Sequence, residues 1–357
     1  MARRRLAVTI KHVAADAGVS LQTVSRVINS EPNVRPEMRD RVQASIDRLG
    51  YVPSIAAQRM SGSRSYLILA LNDRERTIAD WRARQGTDWV DQMLLGGMLE
   101  CAEHGYRLIF ELVDTHADHL ERELGAALSA LQPDGAILTP PHSDNPRILA
   151  TLKRHHVPYA RIGAQGQDDG ALPAGIRVSM DDEGAARRAT RHLLDLGHRR
   201  IGFISGPAEY RLSGWRVDGW QAEMAAAGLP TETLLETGDF GYASGLRAAQ
   251  TLLARADRPT AIIASNDQMA LATIEAARDA GLAIPADLSL VSFDNTPLVR
   301  FTTPPLTAVD QPIAETTAMA VRLLITAPSV TLDPPAPVII PMGLVERAST
   351  APPPDVA

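Results

Sequence analysis

The chain has 357 residues, 45% of them hydrophobic and 22% charged, with a formal net charge of -6 and a single cysteine. Such a length exceeds one ordinary core and fits a small domain beside a larger body, and the composition is that of a globular protein. No apolar run is long enough to cross a bilayer, and the lone Cys101 excludes an intrachain disulfide or a cysteine-based metal site.

The opening MARRRLAVTI is basic but lacks an apolar core segment and a small-residue cleavage site, so no secretory signal is expected and the cytoplasm is the expected location. Charge is unevenly placed. Residues 1–65 hold 11 Lys and Arg against 5 Asp and Glu, a net +6, which leaves -12 on the rest. A basic head on an acidic body points to a polyanion as the partner of the head alone.

Thr9 is an expected N-cap, with Ile10, Val13, Ala14 and Ala17 at helical spacing before Gly18, a residue suited to the left-handed turn that ends a helix. Ser20 caps again, and Val24, Val27 and Ile28 form a second apolar stripe ending at Asn29. Two short helices joined by a glycine-containing turn predict a helix-turn-helix, although a plain helical hairpin would show the same spacing. In that motif the second helix enters the major groove and its first turn meets base edges. Here that turn offers Leu21 and Gln22, followed by Thr23, Ser25 and Arg26. Gln suits adenine, Arg suits guanine, and Leu offers only apolar contact, as with a thymine methyl. Thr9, Ser20, Thr23, Ser25 and Asn29 are short polar side chains suited to phosphate oxygens. A third helix is expected from Pro36, with Met38, Val42, Ile46 and Leu49 on one side and Gly50 at its end.

The stretch TIKHVAADAGVSLQTVSRVINSEPNVRPEMRDRVQASIDRLGYVPSIAAQRMSG resembles the DNA-binding head and hinge of the lactose repressor (LacI/GalR) family almost residue for residue. The resemblance extends in weaker form to about residue 349. After Pro53, the segment SIAAQRMSG is helix-compatible but shorter than the roughly 12 to 15 residues an isolated helix needs in water. The resemblance implies a hinge that folds when paired with its twin on DNA. Met60 then stands where the family places a leucine wedge in the minor groove, and Ala57 where a small residue lets two hinge helices approach.

From residue 66, short apolar runs alternate with amphipathic helical stretches, the pattern of βαβ units and parallel sheets. Strands are expected at YLILAL, RLIFELV, GAILT and VPYAR, and, after the helix DDEGAARRATRHLLDLG, at RIGFIS, LLETG, TAIIAS and LSLVSF. Two such series predict two doubly wound parallel-sheet lobes with a ligand in the crevice at the strand ends. The family resemblance implies the same fold, like that of periplasmic sugar-binding proteins of type I. The expected domains are residues 1–53 (head), 54–63 (hinge) and 64–349 (body), with a disordered tail at 350–357. The N-lobe is expected over about 64–180 and 311–327, and the C-lobe over about 181–310 and 328–349.

No phosphate loop, nucleophile elbow or dinucleotide fingerprint occurs, so an enzyme is not expected, nor is a cofactor or bound metal. His198 before a strand reads as structural, and His155 and His156 lack a spaced metal partner. The resemblance implies that Arg216, Asn266 and Asp294 hydrogen-bond sugar hydroxyls and that Phe240 packs on the ligand ring; a guanidinium fork, an amide and a carboxylate suit vicinal hydroxyls. The segment from 73 to 88 reads as an Arg-rich loop longer than the family's, with Trp89 as a further ring-packing aromatic. Arg82 or Arg84 on that loop would favour an acidic sugar.

The expected function is a DNA-binding transcriptional repressor, homodimeric on a palindromic operator and released from it by a sugar-like effector. A purine corepressor would reverse the sign of that response. A sugar-binding protein without DNA activity is a further alternative, one that the helix-turn-helix opposes.

Overall fold

Gly18 takes a left-handed backbone (φ +64°), and there the first helix stops. The computed structural model of the chain describes residues 8–28, 33–51, 64–84, 88–164, 175–326 and 336–354. It divides into two units, Met1–Tyr66 and Leu67–Ala357.

The first unit contains α1 (Ile10–Ala17), α2 (Leu21–Ile28) and α3 (Pro36–Leu49). The apolar stripes meet in a core of Val13, Ala14, Ala17, Val24, Val27, Val42 and Tyr51. Val13, Val24 and Val42 are fully buried. Each such side chain contributes about 1.5–3 kcal/mol relative to exposure. Polar contacts pin α3 to α1: Ser45 Oγ donates to Asp16 Oδ2 at 2.6 Å, Arg48 pairs with the same carboxylate, and Arg41 Nη2 donates to Ala17 O at 2.7 Å.

The second unit begins with β1 (Leu67–Asp73), α4 (Arg74–Ala83), α5 (Asp88–Glu103), β2 (Arg107–Val113), α6 (Leu120–Leu131) and β3 (Gly135–Leu138). It continues with α7 (Pro146–Arg154), β4 (Tyr159–Ile162), β5 (Ile176–Met180), α8 (Asp182–Asp195), β6 (Ile201–Ser205) and α9 (Arg211–Ala226). Then come β7 (Leu235–Thr237), α10 (Tyr242–Leu253), β8 (Ala261–Ala264), α11 (Asp267–Asp279) and β9 (Ser289–Asp294). The unit ends with β10 (Thr307–Asp310), α12 (Ile313–Thr326), β11 (Val338–Ile340) and β12 (Gly343–Val345).

The N-lobe sheet runs β11-β5-β4-β3-β1-β2 and the C-lobe sheet β12-β10-β9-β8-β6-β7. All pairs are parallel except β10 with β12. Within each lobe the first five strands follow the same 2-1-3-4-5 order, so the lobes repeat one doubly wound topology, as expected. The inner strands β1, β3, β6 and β8 are buried and read as near-continuous apolar runs.

Four expectations need correction. The Arg-rich segment after β1 folds as α4, capped by Asp73, whose Oδ1 accepts from Arg76 N at 2.9 Å. Residues 328–349 do not all belong to the C-lobe: β11 pairs with β5 in the N-lobe, and only β12 joins the C-lobe. The tail is tied down as far as 354, because Ala351 N and O both bond Ser289 Oγ at 3.0 Å, extending the pairing of Leu290 N with Ser349 O at 2.9 Å. Strands β5, β10, β11 and β12 stand where none was expected.

His198 is structural as expected: it is buried, with its ring nitrogens bonded to Thr260 Oγ1, Ser289 Oγ and Ala351 O. Cys101 lies buried on α5, and burial pushes its thiol up to about 12, which leaves it unreactive.

A candidate nucleic-acid interface and an interlobe cavity

On α2 the residues turned from the core form one face. Val24 and Val27 point inward, while Leu21, Gln22 and Arg26 are exposed and Thr23 and Ser25 half-buried. Leu21 is 45% exposed, a large apolar side chain at the first helical position with no core to fill. Ser20 closes the turn: its Oγ accepts from Thr23 N at 3.1 Å and lies 2.9 Å from Thr23 Oγ1. Thr9 starts α1, its backbone N–H donating to His12 Nδ1 at 2.9 Å. Thr9, Ser20, Leu21, Gln22, Thr23, Ser25 and Arg26 therefore fall on two helix starts and one exposed helix face. Asn29, Ala57 and Met60 lie outside the described residues.

In doubly wound sheets the ligand crevice lies beyond the carboxyl ends of the strands, where the strand order reverses. In this body those points lie after β1 and β3 in one lobe and after β6 and β8 in the other. A cavity opens there, enclosing about 930 Å³ of empty space including its mouth. The N-lobe supplies Asn72, Asp73, Thr139 and Pro140 from strand ends and Arg76, Asp80, Asp88 and Trp89 from α4 and α5. The C-lobe supplies Tyr210, Arg216, Phe240, Asn266, Asp267 and Asp294, and Gln311 lies between lobes. All five expected residues, Trp89, Arg216, Phe240, Asn266 and Asp294, line this one cavity.

Arg216 is 2% exposed and held from three sides. Its Nε donates to Asp182 Oδ1 at 2.8 Å, its Nη1 donates to Ser265 O at 2.6 Å, and its guanidinium lies 4.5 Å from the Phe293 ring centroid. Such a fixed planar donor presents its remaining edge in one orientation.

Asn266 is already engaged within the protein: its Oδ1 caps α11 through Met269 N at 3.0 Å, and its Nδ2 donates to Phe240 O at 2.8 Å. This residue therefore fixes the Phe240 backbone as well as lining the cavity.

Asp294 accepts from Asp267 N at 3.4 Å and from Gln311 Nε2. Both Phe240 (φ +65°) and Asp294 (φ +92°) sit in the sparsely occupied left-handed region, a feature that gathers at ligand sites. Burial pushes the carboxyls of Asp267 and Asp294 upward, and the charge of Asp294 pushes Asp267 further.

Phe240 stacks edge-on against Tyr210 at 5.5 Å. Arg76 reaches this pair from the other lobe: its guanidinium lies 5.2 Å from the Phe240 centroid, and its Nη1 donates to Asp239 O at 2.6 Å. Sequence reasoning missed Arg76, since it lay in what read as a loop. It also missed Asp182 and Gln311, which carry no local signal. Arg82 and Arg84 are exposed and do not line the cavity, so the expectation that they favour an acidic sugar is withdrawn.

Two family models match the chain: bacterial regulatory proteins of the lacI family over residues 9–54, and a periplasmic binding protein-like domain over 190–350. Catabolite control protein A of Priestia megaterium is 33% identical over 319 residues, covering 89% of this chain and 91% of the relative. The HTH-type transcriptional regulator CelR of Thermobifida fusca is 32% identical over 356 residues, covering 97% and 99%. Among solved structures, a CelR–cellobiose complex superposes with a TM-score of 0.70 at 30% identity, covering 96% of this chain and 99% of that one. A lac repressor dimer bound to operator and the anti-inducer ONPF superposes with a TM-score of 0.76 at 26% identity, covering 97% and 100%. With its reading helix, its repeated doubly wound lobes and these full-length matches, the chain belongs to the lacI family of DNA-binding bacterial transcriptional regulators.

Proposed function

We propose that the protein is a homodimeric repressor that leaves a palindromic operator when a sugar or sugar derivative fills the interlobe cavity. The observation that carries this reading is the cavity itself: a buried, pre-oriented guanidinium (Arg216, on α9) and a carboxylate (Asp294, at the end of β9) stand beside two aromatic rings, Phe240 and Trp89. Donor fork, acceptor pair and apolar ring faces together suit a polyhydroxylated ring. The relatives support it, since one solved neighbour is a complex with cellobiose and another a dimer on operator.

On this reading Leu21, Gln22 and Arg26 meet base edges, while Thr9, Ser20, Thr23, Ser25 and Asn29 meet phosphates. Ala57 and Met60 belong to the hinge in the minor groove. Arg216, Asn266 and Asp294 engage effector hydroxyls, with Phe240 and Trp89 against its ring. The effector needs a differential affinity between the two states worth about 1–3 kcal/mol.

The test is a thermal-shift screen of mono- and disaccharides, sugar acids and purines, with each hit repeated in an operator-binding assay using DNA selected from random palindromes by the full chain. A sugar that raises Tm and releases DNA supports the reading. A purine that raises Tm and tightens DNA binding overturns it, as does a sugar that binds without changing operator affinity.

A further inference from the structure

The charge of the cavity is out of balance. Five carboxylates line it (Asp73, Asp80, Asp88, Asp267 and Asp294) against two guanidiniums. Both cations are already engaged. Arg216 is paired with Asp182 beneath the cavity surface, at 2.8 Å. Arg76 lies 3.6 Å from Asp80 and donates to Asp239 O.

What remains is Asp88, half-buried at the first position of α5 and without a cationic partner among the described residues. It lines the cavity together with Asp294 of the opposite lobe, whose carboxyl is raised chiefly by burial, lowered by the charge of Arg216 and raised to a lesser degree by that of Asp88. Burial also pushes the carboxyl of Asp88 upward. Two acidic groups on facing lobes thus border the space a ligand would occupy. A second observation points to a polar ligand: Ser265 lines the same cavity, is fully buried, and its hydroxyl has no hydrogen-bond partner among the described residues.

A uronate would add a negative charge to this surface, and a neutral sugar would leave Asp88 unbalanced as the lobes close. A ligand ammonium gives Asp88 a cationic partner and makes charge-assisted hydrogen bonds to both lobes at once. We propose that the effector is an amino sugar whose protonated amine lies between Asp88 and Asp294. This inference rests on the carbohydrate reading above and adds the charge of the ligand to it.

The experiment is isothermal calorimetry on the full chain with matched probes: glucosamine, galactosamine and the β-1,4-linked glucosamine disaccharide against glucose, galactose and cellobiose. N-acetylglucosamine and glucuronate complete the set. The amine is expected to bind at least about tenfold more tightly than its hydroxyl counterpart, the range of a charge-assisted contact. N-acetylation should erase that advantage, because the resulting amide carries no charge. In Asp88→Asn the ratio of amine to hydroxyl affinity should fall toward unity.

Equal or tighter binding of the neutral sugar or of glucuronate overturns the amino-sugar assignment while leaving the sugar-effector reading intact. So does an amine preference unchanged in Asp88→Asn, provided the variant melts like the parent. If no carbohydrate in the set binds at millimolar concentration, the sugar-effector reading fails and this assignment with it.

Discussion

Replacing Arg216 by methionine isolates the buried pair at the floor of the cavity. Arg216 and Asp182 have side chains 2% and 1% exposed, so neither charge has recourse to water. Methionine keeps the length of the side chain but removes the donor to Asp182 Oδ1 and the donor to Ser265 O. Asp182 must then stay charged and unpaired or take up a proton. From an ordinary value of 3.8, protonation at pH 7 costs about 1.4 kcal/mol per pH unit over roughly three units, or about 4 kcal/mol. That agrees with the 3–5 kcal/mol typical of breaking one side of a buried pair.

Burial already pushes Asp182 up even with Arg216 beside it, and losing the cation raises it further. A carboxyl with a folded pKa above its unfolded one contributes stability that is fully present below the unfolded pKa and lost as pH rises toward the folded one. The penalty of R216M should therefore shrink as pH falls from 7 to 5.5, because the variant's Asp182 holds its proton to higher pH than the parent's. Urea denaturation followed by tryptophan fluorescence measures it, since Trp220 lies buried on the same helix. Adding D182N should recover much of the stability without recovering effector binding. A penalty below about 1 kcal/mol, or one flat with pH, would refute the account of a desolvated ion pair.

Three other substitutions test other parts of the molecule. Asp294→Asn should raise Tm by about 1–3 °C at pH 8 and by less at pH 5. Burial holds the native carboxyl above its ordinary range, so its ionised form destabilises the protein at high pH; a calorimetric scan that shows a fall instead would count against this. Gly96→Ala on α5 should cost about 1–3 kcal/mol, because an added Cβ would lie 1.9 Å from Ala314 O and α5 would have to move off α12; an unchanged urea midpoint contradicts that packing. Exchanging Leu21 and Gln22 together should change the half-site recovered by selection from random DNA while leaving the melting of the head unchanged, since both are exposed. Recovery of the same half-site would remove them as base readers.

Those elements whose burial imposes a period were legible in the sequence. The head could be read from Val13, Val24 and Val42, because a three-helix core this small leaves each apolar residue one place to go. The longer strands were visible as apolar runs, because sheets covered on both faces need them. By contrast α4, RERTIADWRA, has charges around its whole circumference and buries only Thr77, so no stripe distinguishes it from a loop. Strands β10, β11 and β12 are three or four residues long, too short for any period, and the change of lobe between β11 and β12 spans only Pro341 and Met342. In the cavity, Arg216 and Asp294 could be named from family-like motifs. Their partners Asp182 and Gln311 could not, since contacts 34 and 17 residues apart in sequence leave no local trace.

The placement of those two partners bears on how a ligand is sensed. The backbone passes between the lobes after β5, after β10 and after β11, and the passages are bonded together: Asp181 N donates to Ile340 O at 3.0 Å and Arg188 Nη2 to Met342 O at 2.7 Å. Asp182 begins α8 directly after the first passage, and Gln311 occupies the second. Arg216 and Asp294 are thus fastened to the passages between the lobes, whereas Arg76 holds Asp239 and Phe240 from α4, away from them. On the proposed reading, a ligand drawn against Arg216 and Asp294 would pull on these passages themselves, where a small displacement becomes a rotation of whole lobes. A contact made only with Arg76 would add affinity without acting on the passages. The groups that engage the effector on the proposed reading are therefore those whose displacement the lobes must follow, which joins occupancy of the cavity to lobe angle without a longer chain of intermediates.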